Sequence, residues 1–501
     1  MNLADAVSGH AKLEGIQWLL LSATTRRALR SQLRALLSAP ATLGPCHLRR
    51  ARFKPGRKLR AYYDALIHIE GTEGYRARPV AVTWSLDGGQ DWGTGEDDLA
   101  EIQAEAIRRG VAAPFRELTA GLPEWGMQIQ VSPLDPGFPQ LVRLSDPRYV
   151  RDMLAAAYAA ADASQDRPRP DGYAVTPVSY HPGQRHVLRY DPLDATKAGT
   201  VFAKLYTGEG GARAFRVARH AADWLAEHGE GVTAVRPLTY VAEDGVVLYP
   251  RVLGAPLSEH LRSRSQAVGW CLERAGAALH ALHHLPQAVV GPLPPHDFAS
   301  EVSEIAREAC DHIPALLPSV GAAMDALLDR ARELHQQLPQ EPPTFTHGDF
   351  KCEHVWAAPG GSTLIDFDNS CLADPAFDVG KFLADLQLWR VSYNLPELEQ
   401  TQDSFLAGYA PGAPTERLVR ALLYEAIQLV KVARRVPFVR DWAPRTEELI
   451  RRAQAVINDL EVTVGSPTTQ SPLPGFFAGF QKRHQIRFER RPRPSAKGAR
   501  V

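Results

Sequence analysis

Residues 345–386 concentrate the side chains of this chain that could carry chemistry. Its acidic and basic groups of interest are, in chain order, His347, Asp349, Lys351, His354, Asp366 and Asp368. A short apolar run, residues 363–365, directly precedes the segment that holds Asp366 and Asp368. Phosphoryl transfer needs one carboxylate to orient and deprotonate a hydroxyl, and another to hold Mg²⁺ on the nucleotide phosphates. It also needs a lysine to offset the charge on the transferred group. The residue types and their spacing therefore indicate phosphoryl transfer.

Three blocks in this stretch are similar to the pattern of the aminoglycoside phosphotransferase family, also called the phosphotransferase enzyme family. That pattern reads H-G-D-x-x-x-x-N, then I-D-F/W-D/E, then D-P-x-x-D-L/V. The blocks lie here at residues 347–354, 365–368 and 374–379. One H-x-D triplet arises by chance, whereas three blocks in the right order are specific. The resemblance implies an ATP- and Mg²⁺-dependent small-molecule kinase. It also implies an α+β, protein-kinase-like bilobal fold with a small β-rich lobe and a large helical lobe.

The resemblance assigns roles to the residues of the first two blocks. Asp349 would be the catalytic base, and Lys351 would neutralise charge on the transferred group. Asp366 would hold the bridging Mg²⁺, and Asp368 is close enough in sequence to assist. His354 departs from the pattern, because the family usually has Asn there as a second metal ligand. Since Mg²⁺ prefers oxygen ligands, we expect His354 to weaken one metal site without abolishing the first.

Two further residues are expected to support the catalytic loop. His347 opens the first block, and Asp378 stands in the third block, where a helix is expected to start. The resemblance implies that Asp378 props the loop, and a carboxylate at a helix start can otherwise serve as an N-cap. We therefore expect a positioning role for both residues.

Residues 173–257 resemble the small lobe of such a kinase. Residues 201–206 alternate as a strand, and Lys204 within it is similar to the strand lysine that pairs with nucleotide phosphates. The turn at residues 180–185 would cover the phosphates, or it is an ordinary hairpin turn, since it has one glycine rather than three. Residues 246–254 resemble the strand and hinge that seat adenine. The candidate nucleotide-binding residues are Tyr180, Gly183, Arg185, Lys204, Tyr249, Arg251 and Val252.

The sequence does not decide which acidic residue pairs with Lys204. Kinases of this type pair the strand lysine with a Glu on the following helix, which here would occupy residues 212–228. The family position falls near residues 216–220, where no Glu occurs. Either Glu227 or Glu209 replaces it, or the ion pair is missing.

The N-terminal third resembles a degenerate copy of the small lobe. Residues 54–57 (KPGR) match residues 181–184 (HPGQ), and later strand-like blocks keep the same order and approximate spacing. Thr83 stands where the second copy has Lys204. Because a hydroxyl cannot neutralise phosphate charge, we expect the first copy not to bind ATP. It would then be a structural or substrate-capping module.

Composition sets the limits of these predictions. The chain has 501 residues, of which 45% are hydrophobic and 23% charged, as expected for a globular protein of two or three domains. Lys plus Arg and Asp plus Glu number 57 each, so no overall field recruits nucleic acid or a membrane. Five scattered cysteines without a CxxC pair argue against a disulfide framework or a zinc site. No segment resembles a signal peptide or a membrane span, and we expect a cytoplasmic protein.

The domain organisation follows from these blocks. We expect the following parts: 1–44, helical segment; 45–145, degenerate small-lobe-like domain; 146–172, helix and linker; 173–257, ATP-binding small lobe; 258–465, helical large lobe with the catalytic site; 466–501, basic tail. The tail interleaves basic and aromatic residues and could touch RNA or acidic lipid, be disordered, or pack on the lobe. We judge a nucleic-acid partner unlikely, and the oligomeric state is not predicted.

The acceptor of the phosphoryl group would be chosen by the large lobe. Enzymes that hold polycationic aminoglycosides need an acidic surface. Instead, basic residues cluster in the last part of this lobe, among them Lys431, Arg434, Arg435 and Arg440. They form either an acceptor surface or a solvated helix face. On the first interpretation the acceptor is a sugar or another neutral or anionic hydroxyl compound rather than a cationic drug.

Two hypotheses remain from the sequence. The first is an active kinase that transfers the γ-phosphate of ATP to a small hydroxyl compound. The second is a catalytically weak pseudokinase that acts as a nucleotide-binding scaffold or regulator. His354 and the uncertain Glu partner favour the second, while intact Lys204, Asp349 and Asp366 favour the first.

Overall fold

The structure of the chain is a computed structural model. The structure describes residues 2–86, 96–161, 171–194, 199–229, 231–309, 312–358, 361–395, 398–433 and 442–465. The predicted basic tail, 466–501, lies outside the described residues, as do Arg434, Arg435 and Arg440. Among the described helices, none combines the length and the apolar character needed to cross a membrane.

The N-terminal unit packs helices against a five-stranded sheet. Its elements are α1 (Leu3–Ser8), α2 (Lys12–Leu21), α3 (Ala23–Leu36), β1 (Ala41–Lys54), β2 (Lys58–Ile69), β3 (Arg76–Ser85), α4 (Glu96–Arg108), β4 (Thr119–Leu122) and β5 (Met127–Val131). The helical pattern near the N-terminus predicts one helix, but Ser22 divides it. Its backbone is extended and its side chain accepts the N–H of Thr25, so α3 has its own N-cap. Leu29, Leu33 and Leu36 of α3 are buried in the core of this unit.

Two helices lead from this unit to the small lobe, which is built on a second five-stranded sheet. The elements are α5 (Leu141–Leu144), α6 (Pro147–Ala161), β6 (Tyr173–His181), β7 (Arg185–Pro192), β8 (Val201–Leu205), α7 (Gly210–His228), β9 (Val232–Ala234), β10 (Thr239–Val241) and β11 (Val246–Pro250). Helix α6 lies within residues 146–172, which were predicted as helix and linker.

Both sheets have the same strand order. The first runs β1-β2-β3-β5-β4 and the second β6-β7-β8-β11-β10, with a helix after the third strand in each. In the first sheet Thr83 pairs with Arg60, and in the second Lys204 pairs with Val187. Arg60 and Val187 each lie four residues after the turn glycine, Gly56 and Gly183 respectively. The shared topology is consistent with the predicted repeat, whose origin by duplication stays a prediction.

The large lobe is helical with small strands beside the catalytic loop. Its elements are β12 (Ala255–Pro256), α8 (Leu257–Arg262), α9 (Val268–His283), α10 (Gln287–Val290), α11 (Phe298–Ala309), α12 (Ile313–Leu316), α13 (Pro318–Gln337), β13 (Thr344–Thr346), β14 (Val355–Ala358), β15 (Gly361–Leu364), β16 (Cys371–Ala373), α14 (Ala376–Tyr393), α15 (Leu398–Tyr409), α16 (Thr415–Ala433) and α17 (Trp442–Gly465). Helices α14 and α16 are buried on nearly every side because they pack through the centre of the lobe. The predicted α+β, bilobal fold class is confirmed.

Asp378 at the start of α14 fixes the catalytic loop. Its two carboxylate oxygens accept the backbone N–H groups of His347 and Gly348 at 2.6 Å and 2.9 Å. Gly348 has φ +74°, and a Cβ there would lie 2.0 Å from the carbonyl oxygen of Asn369, so only glycine fits. His347 donates from Nε2 to the carbonyl of Ile365 at 3.0 Å. The loop and the strand that delivers Asp366 are therefore tied together.

A buried histidine supports Asp378 from behind. His283 on α9 lies with Nε2 3.3 Å from Asp378 Oδ2 and Nδ1 2.9 Å from the hydroxyl of Tyr409. The structure assigns His283 to this support of the loop.

Replacing Asp378 with Asn tests the support directly. Asn offers one acceptor oxygen in place of two, so one buried N–H of the loop loses its partner. We expect D378N to lower the free energy of unfolding by about 2 kcal/mol. Chemical denaturation measures it, with the exposed Asp329, changed to Asn, as the matched control. Equal stability of D378N and wild type would contradict this role.

Candidate active site

Lys204 lies at the centre of the small-lobe sheet and faces the large lobe. It stands opposite Val187 of β7 and Val247 of β11. Because directly opposed residues of a sheet share a face, and i, i+2 residues do too, Tyr206 and Tyr249 lie on this same face. The other face, with Ala203 and its neighbours, packs in the core shared with α5 and α6.

Two aspartates of the large lobe bind Lys204. Its Nζ lies 2.6 Å from Asp366 Oδ1 and 2.5 Å from Asp368 Oδ2. Burial alone would lower the pKa of Lys204, but the two carboxylates raise it above its ordinary value. Among the described residues these aspartates are its ion-pair partners, in place of Glu209 or Glu227. The question of the lysine's acidic partner is answered by residues of the second motif block.

Asp366 adopts a left-handed backbone conformation, with φ +69° and ψ +61°. Such a conformation is unfavourable for a residue with a side chain and is least so for Asp and Asn. It directs the carboxylate of Asp366 between Lys204 and His354. Burial would raise the pKa of Asp366, but Lys204 lowers it below its usual range.

Asp349 is held between two lysines. Lys351 Nζ lies 3.0 Å from its Oδ2, and Lys381 Nζ lies 3.1 Å from its Oδ1. Burial would raise the pKa of Asp349, yet Lys381 and Lys351 hold it well below its usual range. The carboxylate is therefore ionised, with its side chain 16% exposed toward the cleft.

His354 connects Asp349 with Asp366. Its Nδ1 donates to the backbone carbonyl of Asp349 at 2.8 Å, and its Nε2 lies 3.2 Å from Asp366 Oδ2. Burial lowers the pKa of His354 to about 3, so the ring is neutral and Nε2 carries no proton. The lone pair of His354 Nε2 thus faces a lone pair of Asp366 Oδ2. One ligand atom from each of Asp349, His354 and Asp366 falls within 4.8 Å of the others, which suits a cation between them.

The structure corrects the prediction for Tyr180. This residue lies opposite His186, which lies opposite Leu205, and all three point away from the Lys204 face. Its hydroxyl donates to the carbonyl of Leu134 at 2.5 Å in the buried contact with the N-terminal unit. The Tyr180 side chain therefore cannot contact a nucleotide on the Lys204 face. The sequence did not reveal which face it would take.

Gly183 also has a partner that the sequence did not predict. Its backbone N–H donates to Asp135 Oδ2 at 2.8 Å, and the N–H of Gln184 donates to the carbonyl of His181. These two amides are therefore not free to bind phosphate, contrary to the expected backbone cradle. Arg185 is exposed and lies on the Lys204 face by its register.

The predicted hinge residues lie between the two lobes. Tyr249 ends β11 on the cleft face, and Arg251 and Val252 lie in the short connection to β12. The N–H of Arg251 donates to the carbonyl of Thr200 at 3.1 Å. Leu253 beside them is 75% exposed. Their contact with adenine stays a prediction.

Two site residues were not found from the sequence. Tyr206 donates from its hydroxyl to Asp368 Oδ1 at 2.7 Å, and Lys381 contacts Asp349. Both follow from periodicity, since Tyr206 is two residues from Lys204 on a strand and Lys381 is three residues from Asp378 on a helix. That spacing could have indicated them.

A cavity of about 350 Å³ opens beside Asp349. Its charged lining residues are Arg213, His296, Glu301, Glu304, Asp349, Asp368, Lys381 and Lys431. Glu301 is buried and contacts Lys431 Nζ at 2.7 Å and His296 Nε2 at 2.8 Å. Of the predicted basic cluster, Lys431 is thus brought to the site.

The chain is similar to known proteins in two comparisons. Three solved structures of the same kind of domain are similar at low identity: a choline/ethanolamine kinase family protein from Mesorhizobium loti (18% identity, 61% of this chain and 94% of that chain, TM-score 0.41), an ethanolamine kinase from Plasmodium vivax (11%, 62% and 90%, 0.41) and a thermostable mutant of the aminoglycoside phosphotransferase APH(4)-Ia (15%, 59% and 97%, 0.40). No curated protein matched the sequence.

A family model covers the centre of the chain. Residues 193–422 match the model of the phosphotransferase enzyme family, including Lys204 and all three motif blocks. The resemblance predicted from the motif blocks is confirmed for this segment. Over residues 193–422 this chain is therefore similar to the phosphotransferase enzyme family.

Proposed function

We propose that this chain is a kinase that transfers the γ-phosphate of ATP to a hydroxyl of a small neutral or anionic molecule. One observation carries the proposal. An ionised, partly exposed Asp349 is linked through His354 to Asp366, which binds the strand lysine Lys204. A proton acceptor, a cation site and a phosphate-binding lysine thus converge at one cleft between the lobes.

The acceptor hydroxyl would meet Asp349. As its oxygen bonds to the γ-phosphorus, the bond from that phosphorus to the bridging oxygen breaks and ADP leaves. The hydroxyl proton passes to the carboxylate of Asp349. Because Lys381 and Lys351 hold the pKa of Asp349 low, the carboxylate orients the hydroxyl first and accepts the proton late. It then returns the proton readily to solvent.

The donor set beside Asp349 fits a divalent cation. Asp366, assisted by Asp368 and His354, would hold Mg²⁺, which supplies positive charge to the phosphate oxygens when bound. Lys204 forms ion pairs with both aspartates in this structure. Its ammonium group would bind phosphate when a nucleotide enters the cleft. The imidazole of His354 is a poorer ligand for Mg²⁺ than an oxygen would be.

The cavity beside Asp349 favours acceptors without positive charge. Each carboxylate that lines it already has a basic partner, as Glu304 has Lys431 at 3.3 Å. Arg213 is exposed at the rim, and no carboxylate among the described residues forms an ion pair with it. A polycationic acceptor would find no carboxylate in the lining of this cavity without a basic partner, whereas an anionic acceptor group can bind Arg213. The volume suits a small metabolite.

The pseudokinase alternative is favoured by one observation. Asp366 and Asp368 both engage Lys204, so phosphate and metal must compete with a formed ion pair. A scaffold that binds nucleotide without turnover would keep this arrangement. Turnover assays separate the two functions.

Asp349→Asn tests the proposed catalytic base. The amide cannot accept the proton, so we expect turnover to fall about 100- to 10,000-fold while ATP binding is kept. ADP release with a panel of hydroxyl compounds measures turnover, and calorimetry measures binding. The control is E353Q, an exposed acid of the same loop. Full activity of D349N would contradict the assignment.

His354→Asn tests the cation site. Asn supplies an oxygen in place of a ring nitrogen, so the Mg²⁺ concentration for half-maximal activity should fall about tenfold. A Mg²⁺ titration of the initial rate measures it. The control H284N changes an exposed histidine of the same lobe. An unchanged Mg²⁺ dependence would remove His354 from the site.

Arg213→Gln tests the acceptor class. Loss of the guanidinium should raise KM for anionic acceptors by about fivefold and leave KM for neutral acceptors unchanged. Arg219 lies on the same helix but does not line the cavity, and R219Q is the matched control. Equal effects on both acceptor types, or preference for a polycation, would refute this acceptor class.

A further inference from the structure

The N-terminal unit holds the turn between β6 and β7 from outside. Tyr180, Pro182, Gly183, Gln184 and His186 each have a hydrogen-bond partner in that unit or in the segment that follows β5. Two contacts come from the β1–β2 hairpin: Arg52 donates to the side chain of Gln184 at 2.7 Å, and Arg60 donates to the carbonyl of Pro182 at 3.3 Å. The turn is therefore braced along its whole length.

Asp135 is the centre of this brace. Its Oδ2 accepts the N–H of Gly183 at 2.8 Å and Nε2 of His186 at 2.5 Å, while Oδ1 accepts the N–H of Gly137 at 2.9 Å. The carboxylate is 1% exposed, and so is the ring of His186. Hydrogen bonds to a buried carboxylate are stronger than those between neutral groups.

Close packing locks the two backbones at this point. A Cβ placed on Gly137 would lie 3.3 Å from the Cα of Gly183. Phe138 packs edge-on against the ring of His186 at 4.9 Å. The turn cannot move toward or away from the N-terminal unit without breaking the bonds to Asp135.

The same segment also holds the second turn of the small-lobe sheet. Asp244, buried between β10 and β11, accepts from Arg143 Nε at 2.5 Å and from the hydroxyl of Tyr149 at 2.7 Å. Asp244 holds the β10–β11 turn, whereas Asp135 holds the β6–β7 turn that carries Arg185. It therefore gives a matched control for Asp135.

The N-terminal unit is anchored on the large lobe as well. Leu316 of α12 belongs to the hydrophobic core of the N-terminal unit. A Cβ on Gly9 would lie 3.2 Å from Cβ of Ala315 in the same helix. The unit thus contacts both lobes. It therefore holds the β6–β7 turn at a fixed position relative to the large lobe, which carries Asp349.

The braced turn leads directly into the nucleotide face. Val187 follows His186 and lies opposite Lys204, and Arg185 is on the same face as Val187. A displacement of the turn would move Arg185 relative to Lys204. The position of the turn therefore sets the distance between these two cations.

We propose that Asp135 is a positioning residue for nucleotide binding. It fixes the β6–β7 turn so that Arg185 and Lys204 meet the phosphates together, a role that the N-terminal unit performs instead of binding ATP itself. The proposal rests on the proposed function, since it requires that this cleft binds ATP. Asp135 acts through the turn and does not touch the nucleotide.

The test compares Asp135→Asn with Asp244→Asn in the full chain. Asn at 135 keeps the shape and removes the charge, so we expect the Kd for Mg–ATP to rise about tenfold and KM for ATP to follow, with kcat at saturating ATP within about twofold of wild type. D244N should leave the Kd within about twofold. Calorimetry with Mg–ATP gives Kd, and thermal unfolding shows that both variants are folded.

Each outcome decides the proposal. An unchanged Kd for D135N, or an equal rise for D244N, overturns it while the proposed function stands. If wild type binds no Mg–ATP, the proposed function fails first and this proposal with it. If D135N does not fold, Arg52→Ala decides. Loss of the exposed hydrogen bond from Arg52 to Gln184 should weaken Mg–ATP binding about two- to threefold. No change in R52A would then overturn the proposal.

Discussion

The contact between Lys204 and the two aspartates Asp366 and Asp368 is the interaction on which the site depends. It joins the small-lobe sheet to the large lobe across the cleft, with all three groups largely withdrawn from water. Three buried charges are stable only when they compensate one another. The rest of the site extends this pattern, since His354 links Asp366 to Asp349 and two lysines compensate Asp349. Charge balance thus sets where each motif residue lies.

The surrounding fold serves to hold this arrangement at fixed geometry. Asp378 fixes the loop that carries Asp349, and His283 and Tyr409 fix Asp378 in turn. Asp366 is kept in a backbone conformation that few side chains adopt. Such strain persists only where neighbours over-determine it, as the ion pair with Lys204 and the contact with His354 do here. Rigid support of this kind is what phosphoryl transfer requires, because its catalysis is mostly positioning and charge.

The sequence predicted the site residues that belong to a motif within a short segment. It did not predict the contacts that form between segments distant in sequence. The three motif blocks and the strand around Lys204 predicted the family, the fold class and the cluster of Asp349, His354 and Asp366. Tyr180 was predicted to bind the nucleotide but lies on the opposite face, because a hairpin turn in sequence does not reveal which alternate residues face the cleft. Asp135 lies far from the turn in sequence, so its bond to Gly183 could not be read from local pattern. Lys381 was within reach through its helical spacing from Asp378.

The measurement that tests the central claim most directly is ADP release by the full-length protein with Mg–ATP and a panel of hydroxyl compounds, with phosphate incorporation into each compound read in parallel. We expect ADP release to depend on a neutral or anionic acceptor and to be matched by phosphate on that acceptor. ATP binding that needs no Mg²⁺, together with no transfer to any sugar, amino alcohol or aminoglycoside in the panel, would contradict a kinase and indicate a nucleotide-binding scaffold.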